Sequence, residues 1–289
     1  MTELTDKICG WLNKQGYPLE MSVAKALHAQ AFSVTQSEYY TDPDEGESRE
    51  IDVVGRKQWE VENIICRISL VIECKTSRDK PWLLFGAENT PLADRARVLQ
   101  RPATLAGKVL LSYLMEEPTT SSMPLFQLEG RHGYGLTQAF TSGNDAAYKA
   151  VMAASKAAHS IGLAIDAKRK NITPATPSPQ KYYAFLHFPV VVVSGNLFRC
   201  TMDSKTGNLT LDEIPRGVLV WRNPVVGQPH SIVHIVTEAD FPAFVAGANS
   251  TILQIKKIFE GSVRDAFIAK AQSVYTRNRR PVISKVHVR

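Results

Sequence analysis

Asp52, in Arg49-Glu50-Ile51-Asp52-Val53-Val54-Gly55, and the pair Glu73 and Lys75, in Leu70-Val71-Ile72-Glu73-Cys74-Lys75, are the residues whose types and spacing suit a reaction. In a strand, positions two apart share a face, so Glu73 and Lys75 project together while Ile72 and Cys74 face the opposite layer. Charged groups at the end of a buried strand are costly unless they are paired or bound to a cation. If the strands bearing Asp52 and Glu73 are neighbours, two carboxylates stand side by side, and a divalent cation relieves their repulsion. Hard oxygen donors suit Mg²⁺ or Mn²⁺. A lysine beside them can position a water or neutralise charge developing on a phosphoryl group. That chemistry is metal-assisted phosphodiester hydrolysis. The plain alternative is an ion pair on an edge strand, worth ~0–1 kcal/mol.

Several elements must position these groups. Leu4, Ile8, Trp11 and Leu12 recur at helical spacing, and Gly16 ends the run. A second helix is expected after Pro18, where Leu19, Val23, Ala26, Leu27 and Ala31 recur at three- and four-residue steps. Residues 32–41 are rich in strand formers, and residues 42–48 form a polar turn. Strands follow over Glu50–Trp59 and Ile64–Lys75, the second with the near-continuous apolar run of a strand buried on both faces. Leu105–Met115 is apolar enough for a buried helix or strand. Asn144–Arg169 reads as an alanine-rich helix with Asn144 or Asp145 as its cap. Thr173–Pro179 reads as a loop within one domain, since the apolar strand Tyr182–Ser194 beyond it needs partners from the first half. Further strands are expected at Leu197–Met202, Gly217–Arg222 and Ser231–Thr237, then helices at Glu238–Ala246 and Ser250–Ala271. The fold class is therefore α/β, with a central mixed β-sheet flanked by helices.

The order and the residues resemble the PD-(D/E)xK nuclease superfamily, with its restriction-endonuclease-like core. Asp52 matches the family's first acid, and Glu73 with Lys75 matches its Glu-x-Lys element on the adjacent strand. Glu20, at the start of the second helix, matches the further metal ligand that many members carry, although an acid in a first helical turn is favoured in any case. Ile51 stands where the motif's proline would be, and there is no convincing Gln-x-x-x-Tyr element of the kind seen in the exonuclease branch. The resemblance covers residues 17–75 well and extends loosely to about 194. It implies a Mg²⁺- or Mn²⁺-dependent deoxyribonuclease, more an endonuclease than an exonuclease, leaving 3′-hydroxyl and 5′-phosphate ends. Asp52, Glu73 and Lys75 are then catalytic, and Glu20, Asp52 and Glu73 hold the metal. By analogy the setting is prokaryotic restriction or anti-phage defence, with repair of branched or end-containing DNA, or a non-cutting DNA-binding subunit, as the alternatives. DNA is the expected partner. A homodimer, or a helicase, ATPase or sensor subunit, is a further one. The nuclease domain is expected over 1–245, with an insertion at about 80–143, followed by a C-terminal helix and basic tail over 246–289.

The remaining candidates are weaker. Thr76, Ser77 and Arg78 follow the motif and are candidates for phosphate contact. Lys168, Arg169 and Lys170 at a helix end, and Arg277, Arg279 and Arg280 near the terminus, are candidate nucleic-acid contacts, against a solvated tail as the plain reading. His132 is a candidate lining of a DNA cleft, His187 is expected to be a core histidine with its hydrogen bonds satisfied, and Glu50 is expected in a structural or surface role. Charge is divided unevenly. Residues 1–150 carry 16 basic and 20 acidic side chains, a net of −4, and residues 151–289 carry 18 and 8, a net of +10. The acidic half holds the proposed metal ligands and the basic half suits a polyanion. Cys9, Cys66, Cys74 and Cys200 are scattered with no Cys-x-x-Cys pair, which argues against a zinc finger or a disulfide framework. No apolar run reaches the ~18 residues of a membrane span and the N-terminus lacks the pattern of a signal peptide, so a cytoplasmic protein with no membrane partner is expected.

Overall fold

The computed structural model describes residues 2–12, 15–77, 80–86, 98–128, 132–141, 146–170, 181–221, 230–259 and 263–279. Helices α1 (Glu3–Leu12) and α2 (Tyr17–Ala29) lead into strands β1 (Ser33–Thr41), β2 (Ser48–Val61) and β3 (Ile64–Lys75). Strand β4 (Trp82–Gly86), helix α3 (Leu105–Glu116) and strand β5 (Gly133–Gln138) follow. Helix α4 (Ala146–Lys170) precedes β6 (Tyr182–Val193), β7 (Leu197–Met202), β8 (Leu209–Glu213), β9 (Arg216–Trp221) and β10 (Ser231–Thr237). Helices α5 (Phe241–Phe259) and α6 (Val263–Arg279) close the chain. The strands form one ten-stranded mixed sheet in the order β1-β2-β3-β6-β10-β9-β5-β4-β7-β8.

Continuous apolar runs occupy the middle of that order, as parallel strands covered on both faces require. Strand β6 lies parallel to β3 on one side, from Ile64↔Tyr182 to Lys75↔Val193, and parallel to β10 on the other. Its expected need for first-half partners is thus met by β3. Leu19, Val23 and Leu27 of α2, Leu110, Leu111 and Leu114 of α3, Phe244, Val245, Ile252 and Ile255 of α5, and Phe267 of α6 pack on one face with Ile68, Leu70 and Ile72 of β3. Helix α4 packs on clusters bearing the opposite faces of the strands, with Ala147, Val151 and Ala154 beside Val191 and Ile235, and Ala157 and Ala158 beside Val54 and Val71. Its alanines let a 25-residue helix lie close to the sheet.

Three expectations change. The stretch expected as an insertion supplies sheet: β4 pairs with β5 and β7, β5 pairs with β9, and Leu110, Leu111 and Leu114 of α3 are core residues. The C-terminal helices are divided differently, because the small residues Gly247 and Ala248 pack inside one helix and do not break it. A Cβ at Gly247 would lie 3.1 Å from Pro124, and neighbouring Asn249 accepts a hydrogen bond from Lys57 at 2.7 Å. The boundary expected at residue 245 consequently falls inside α5. Strand β8 joins the edge of the sheet as a hairpin partner of β7. The caps Asn144 and Asp145, the loop Thr173–Pro179 and the tail beyond Arg279 lie outside the described residues. Among the described residues no helix is long and apolar enough to cross a membrane.

Candidate active site

The β2–β3 hairpin pairs from Val61↔Ile64 to Val53↔Ile72. The ladder stops there, so Asp52 is the first β2 residue beyond it. The irregularity has a local cause on the other side of β2. Strand β1 pairs Gln36↔Val53 and Glu38↔Ile51, and Ser37 between them adopts a left-handed φ of 53° opposite Asp52. Side-chain alternation slips at the same point, since Ile51 and Val54, three residues apart, pack in one cluster with Tyr40 and Val71. Freed from the ladder, the Asp52 carboxylate accepts a hydrogen bond from the Cys74 backbone N–H at 2.7 Å through Oδ2. This bond fixes the acid against the Glu-x-Lys segment.

Glu73 is 8% exposed, and its Oε1 accepts a hydrogen bond from Lys75 Nζ at 2.7 Å. Burial, and then the charge of Asp52, pushes the Glu73 carboxyl up to about 7. Asp52 is raised as well, by burial first, while the Cys74 N–H and Lys75 pull the other way. Burial opposes the Lys75 ammonium, yet Glu73 together with Asp52 and Cys74 holds the lysine above its ordinary value. Glu20, in the first turn of α2, is raised by burial, then by Asp52 and Glu50, and is lowered by Lys75. The four groups therefore share one electrostatic field. Glu50, exposed as expected, is a minor contributor to it.

Among the described residues, no three His, Cys, Asp or Glu side chains are gathered so as to hold an ion as they stand. The donor set is nonetheless of the right kind. Asp52 and Glu73 are hard oxygen donors that repel each other inside the sheet, and a divalent cation is what removes that repulsion. The pair is of the donor type that suits Mg²⁺ or Mn²⁺, and Glu20 is linked to it through the electrostatic field alone.

The site lies at the carboxyl end of β3, beside the carboxyl ends of parallel β6 and β10, since Lys75, Val193 and Thr237 fall in one row. In open α/β sheets ligands bind at such an edge. Gly195 keeps that edge tight: its φ is 89°, and a Cβ there would lie 2.6 Å from the Ser77 carbonyl oxygen. Ser77 itself takes part in turn bonding. Its N–H donates to Ser194 Oγ at 2.9 Å and its hydroxyl donates to the Lys80 carbonyl at 2.8 Å.

Two groups that the sequence did not single out brace the β1–β2 hairpin. Asp42, 1% exposed, accepts from Lys156 Nζ of α4 at 3.0 Å on both oxygens, and Arg49 Nε lies 3.0 Å from Oδ2. Lys156 also meets Asp44 at 2.8 Å. Tyr40 is buried nearby, and burial, Asp42 and Glu73 push its phenol up to about 12. The signal that could have found this brace is a lone lysine among the alanines and serine of residues 153–158.

Of the other candidates, His132 is buried at the start of β5, not open to a cleft. His187 is fully buried, but neither ring nitrogen has a hydrogen-bond partner among the described residues, against the expectation of a satisfied core histidine. Lys168 is exposed on α4. Arg169 and Lys170 end that helix, and Arg277 and Arg279 lie in α6, all four with side chains outside the described set. Arg78 and Arg280 lie outside the described residues altogether. No family model, curated protein or solved structure matches the chain.

Proposed function

We propose that the chain is a metal-dependent nuclease of the PD-(D/E)xK kind that hydrolyses DNA phosphodiester bonds. The observation that carries this reading is half-buried Asp52, held by the Cys74 N–H, beside buried Glu73, held by Lys75, at the carboxyl edge of the sheet. Asp52 and Glu73 would hold Mg²⁺ or Mn²⁺, with Glu20 assisting, and the ion would supply Lewis-acid polarisation of the scissile phosphate. Lys75 Nζ, tethered to Glu73, orients the attacking water or neutralises the charge that develops on the phosphoryl oxygens. Water adds to phosphorus, the P–O3′ bond breaks, and the proton passes to the departing 3′-oxygen. The Lys156–Asp42 brace holds the β1–β2 hairpin, and hence Asp52, while the ends come and go.

The test is incubation of the purified chain with supercoiled plasmid and Mg²⁺, beside Asp52→Ala and Lys75→Ala. Nicked or linear plasmid with wild type, and at least ~10²-fold slower cleavage with each variant, is expected. Equal rates in all three proteins, or cleavage that persists in EDTA, would overturn the assignment of these residues.

A further inference from the structure

A groove of about 940 Å³ opens between β1 and the C-terminal half of α4, apart from the carboxylate site. Its charged lining is Arg56, Arg67 and Lys168 against the single carboxylate of Glu38. Glu38 is already paired with Arg56. Arg67 is different. Its guanidinium donates to the neutral Gln58 side chain at 3.1 and 2.6 Å and stacks 4.1 Å from the Phe185 ring centroid. Those contacts orient a half-buried cation without neutralising it, and burial followed by the Arg56 charge holds it below its ordinary value. The other walls include the exposed Tyr39 ring and Leu163, which is 50% exposed on α4.

Behind the arginines the interior is polar and unsatisfied. Ser69 follows Arg67 on the same face of β3, lies opposite Arg56 on β2, and pairs with His187 on β6. Gly162 of α4 faces His187, with room for a Cβ only at 3.4 Å from the ring. Ser69 Oγ, both nitrogens of His187 and Nε2 of His159 lack hydrogen-bond partners among the described residues, although all three side chains are more than nine-tenths buried. His187 lies in the field of Arg56, Arg67 and His159. Buried polar atoms without partners are rare, and these lie behind the lining of the groove, not in it.

We propose that this groove binds a nucleoside phosphate. Planar guanidinium groups and an ammonium match phosphate oxygens, and an exposed tyrosine ring beside an aliphatic wall matches the flat face of a base. Inorganic phosphate alone would leave the ring and Leu163 unused, and an uncharged nucleoside would leave Arg67 and Lys168 unpaired. The volume falls in the range of small-ligand pockets. The nucleoside phosphate is either a free nucleotide or a nucleotide of a single strand. The proposal does not depend on cleavage at Asp52 and Glu73.

Isothermal titration calorimetry of the full chain in EDTA tests it, with adenosine 5′-monophosphate, adenosine, inorganic phosphate and a ten-nucleotide thymidine oligomer as separate titrants. The monophosphate or the oligomer is expected to bind at least about tenfold more tightly than adenosine or phosphate. Arg67→Gln and Leu163→Glu should each weaken that binding by about tenfold or more. Leu163→Glu adds a negative charge on an exposed wall and should leave the thermal midpoint unchanged, so it decides the matter if Arg67→Gln does not fold. Binding of the monophosphate marks a free nucleotide as ligand, and binding of the oligomer alone, lost in Leu163→Glu, marks a strand. Absence of binding by both, or binding that Leu163→Glu leaves intact, overturns the proposal. An Asp52→Ala protein that no longer cuts but binds the monophosphate as wild type does separates this groove from the nuclease reading.

Discussion

Ionising Glu73 inside the sheet opposes folding, because its carboxyl is raised from 4.5 to about 7. The folded chain holds that proton more tightly than the unfolded chain does. Its contribution to stability is therefore complete below pH 4.5 and is lost as the pH rises through about 7. In EDTA at pH 8, Glu73→Gln should unfold at higher urea than wild type, by up to about 3 kcal/mol, and the difference should vanish near pH 4.5. The same variant should lose cleavage, and equal urea midpoints at pH 8 would contradict the argument. His159 and His187 work at the other end. Burial lowers their imidazoles from 6.5 to about 4 and about 3, so the unfolded chain takes up protons first and stability falls as the pH drops below 6.5. Replacing His187 by leucine should flatten that acid limb in urea titrations at successive pH values. Asp52, Glu73 and Lys75 could be read from sequence because strand alternation is local and a charge ending an apolar run is conspicuous. The unpartnered state of His187 could not, because its neighbours come from β2, β3 and α4.

At the scale of elements, α4 and the β1–β2 hairpin are joined by Lys156 and Asp42. Lys156→Met should cost about 3 kcal/mol, the low end for breaking a buried pair, because Arg49 still meets Asp42. Cleavage should fall with it if the brace positions Asp52, and a stable variant with unaltered cleavage would remove that role. Gly195→Ala places a Cβ against the Ser77 carbonyl at a left-handed φ, and should cost about 1–3 kcal/mol in denaturant titrations. Strands β1, β2, β3, β6, β7, β9 and β10 were legible from composition and alternation, close to their observed bounds. Strand β8 was not, since all five of its residues are exposed and its place is set by the Asp203–Gly207 turn, where Asp203 Oδ1 accepts the Lys205 and Thr206 N–H groups. Strands β4 and β5 escaped because they are short, at five and six residues, and glycines interrupt the alternation of β5.

For the molecule as a whole, the division into an acidic first half and a basic second half leaves the excess positive charge remote in sequence from the carboxylates. Deleting residues 276–289, which carry five basic residues and no acid, should weaken DNA binding and flatten its dependence on salt by up to about 4 in log–log slope. An unchanged slope would show that the tail takes no part. The same distance in sequence governs assembly. Strand β3 has β2 beside it as soon as the hairpin is made, but its other edge waits for β6, from Ile64↔Tyr182 onward. At a synthesis rate of ~5–20 residues per second, that edge stays open for on the order of ten seconds. During that interval an apolar strand offers unpaired backbone to any neighbouring chain. The row of Lys75, Val193 and Thr237 also does not exist until β10 has emerged. A ribosome-bound chain would thus carry every proposed metal ligand and still lack the edge they act on, so on the proposed nuclease reading it would be made inert and become competent only once β10 has been translated.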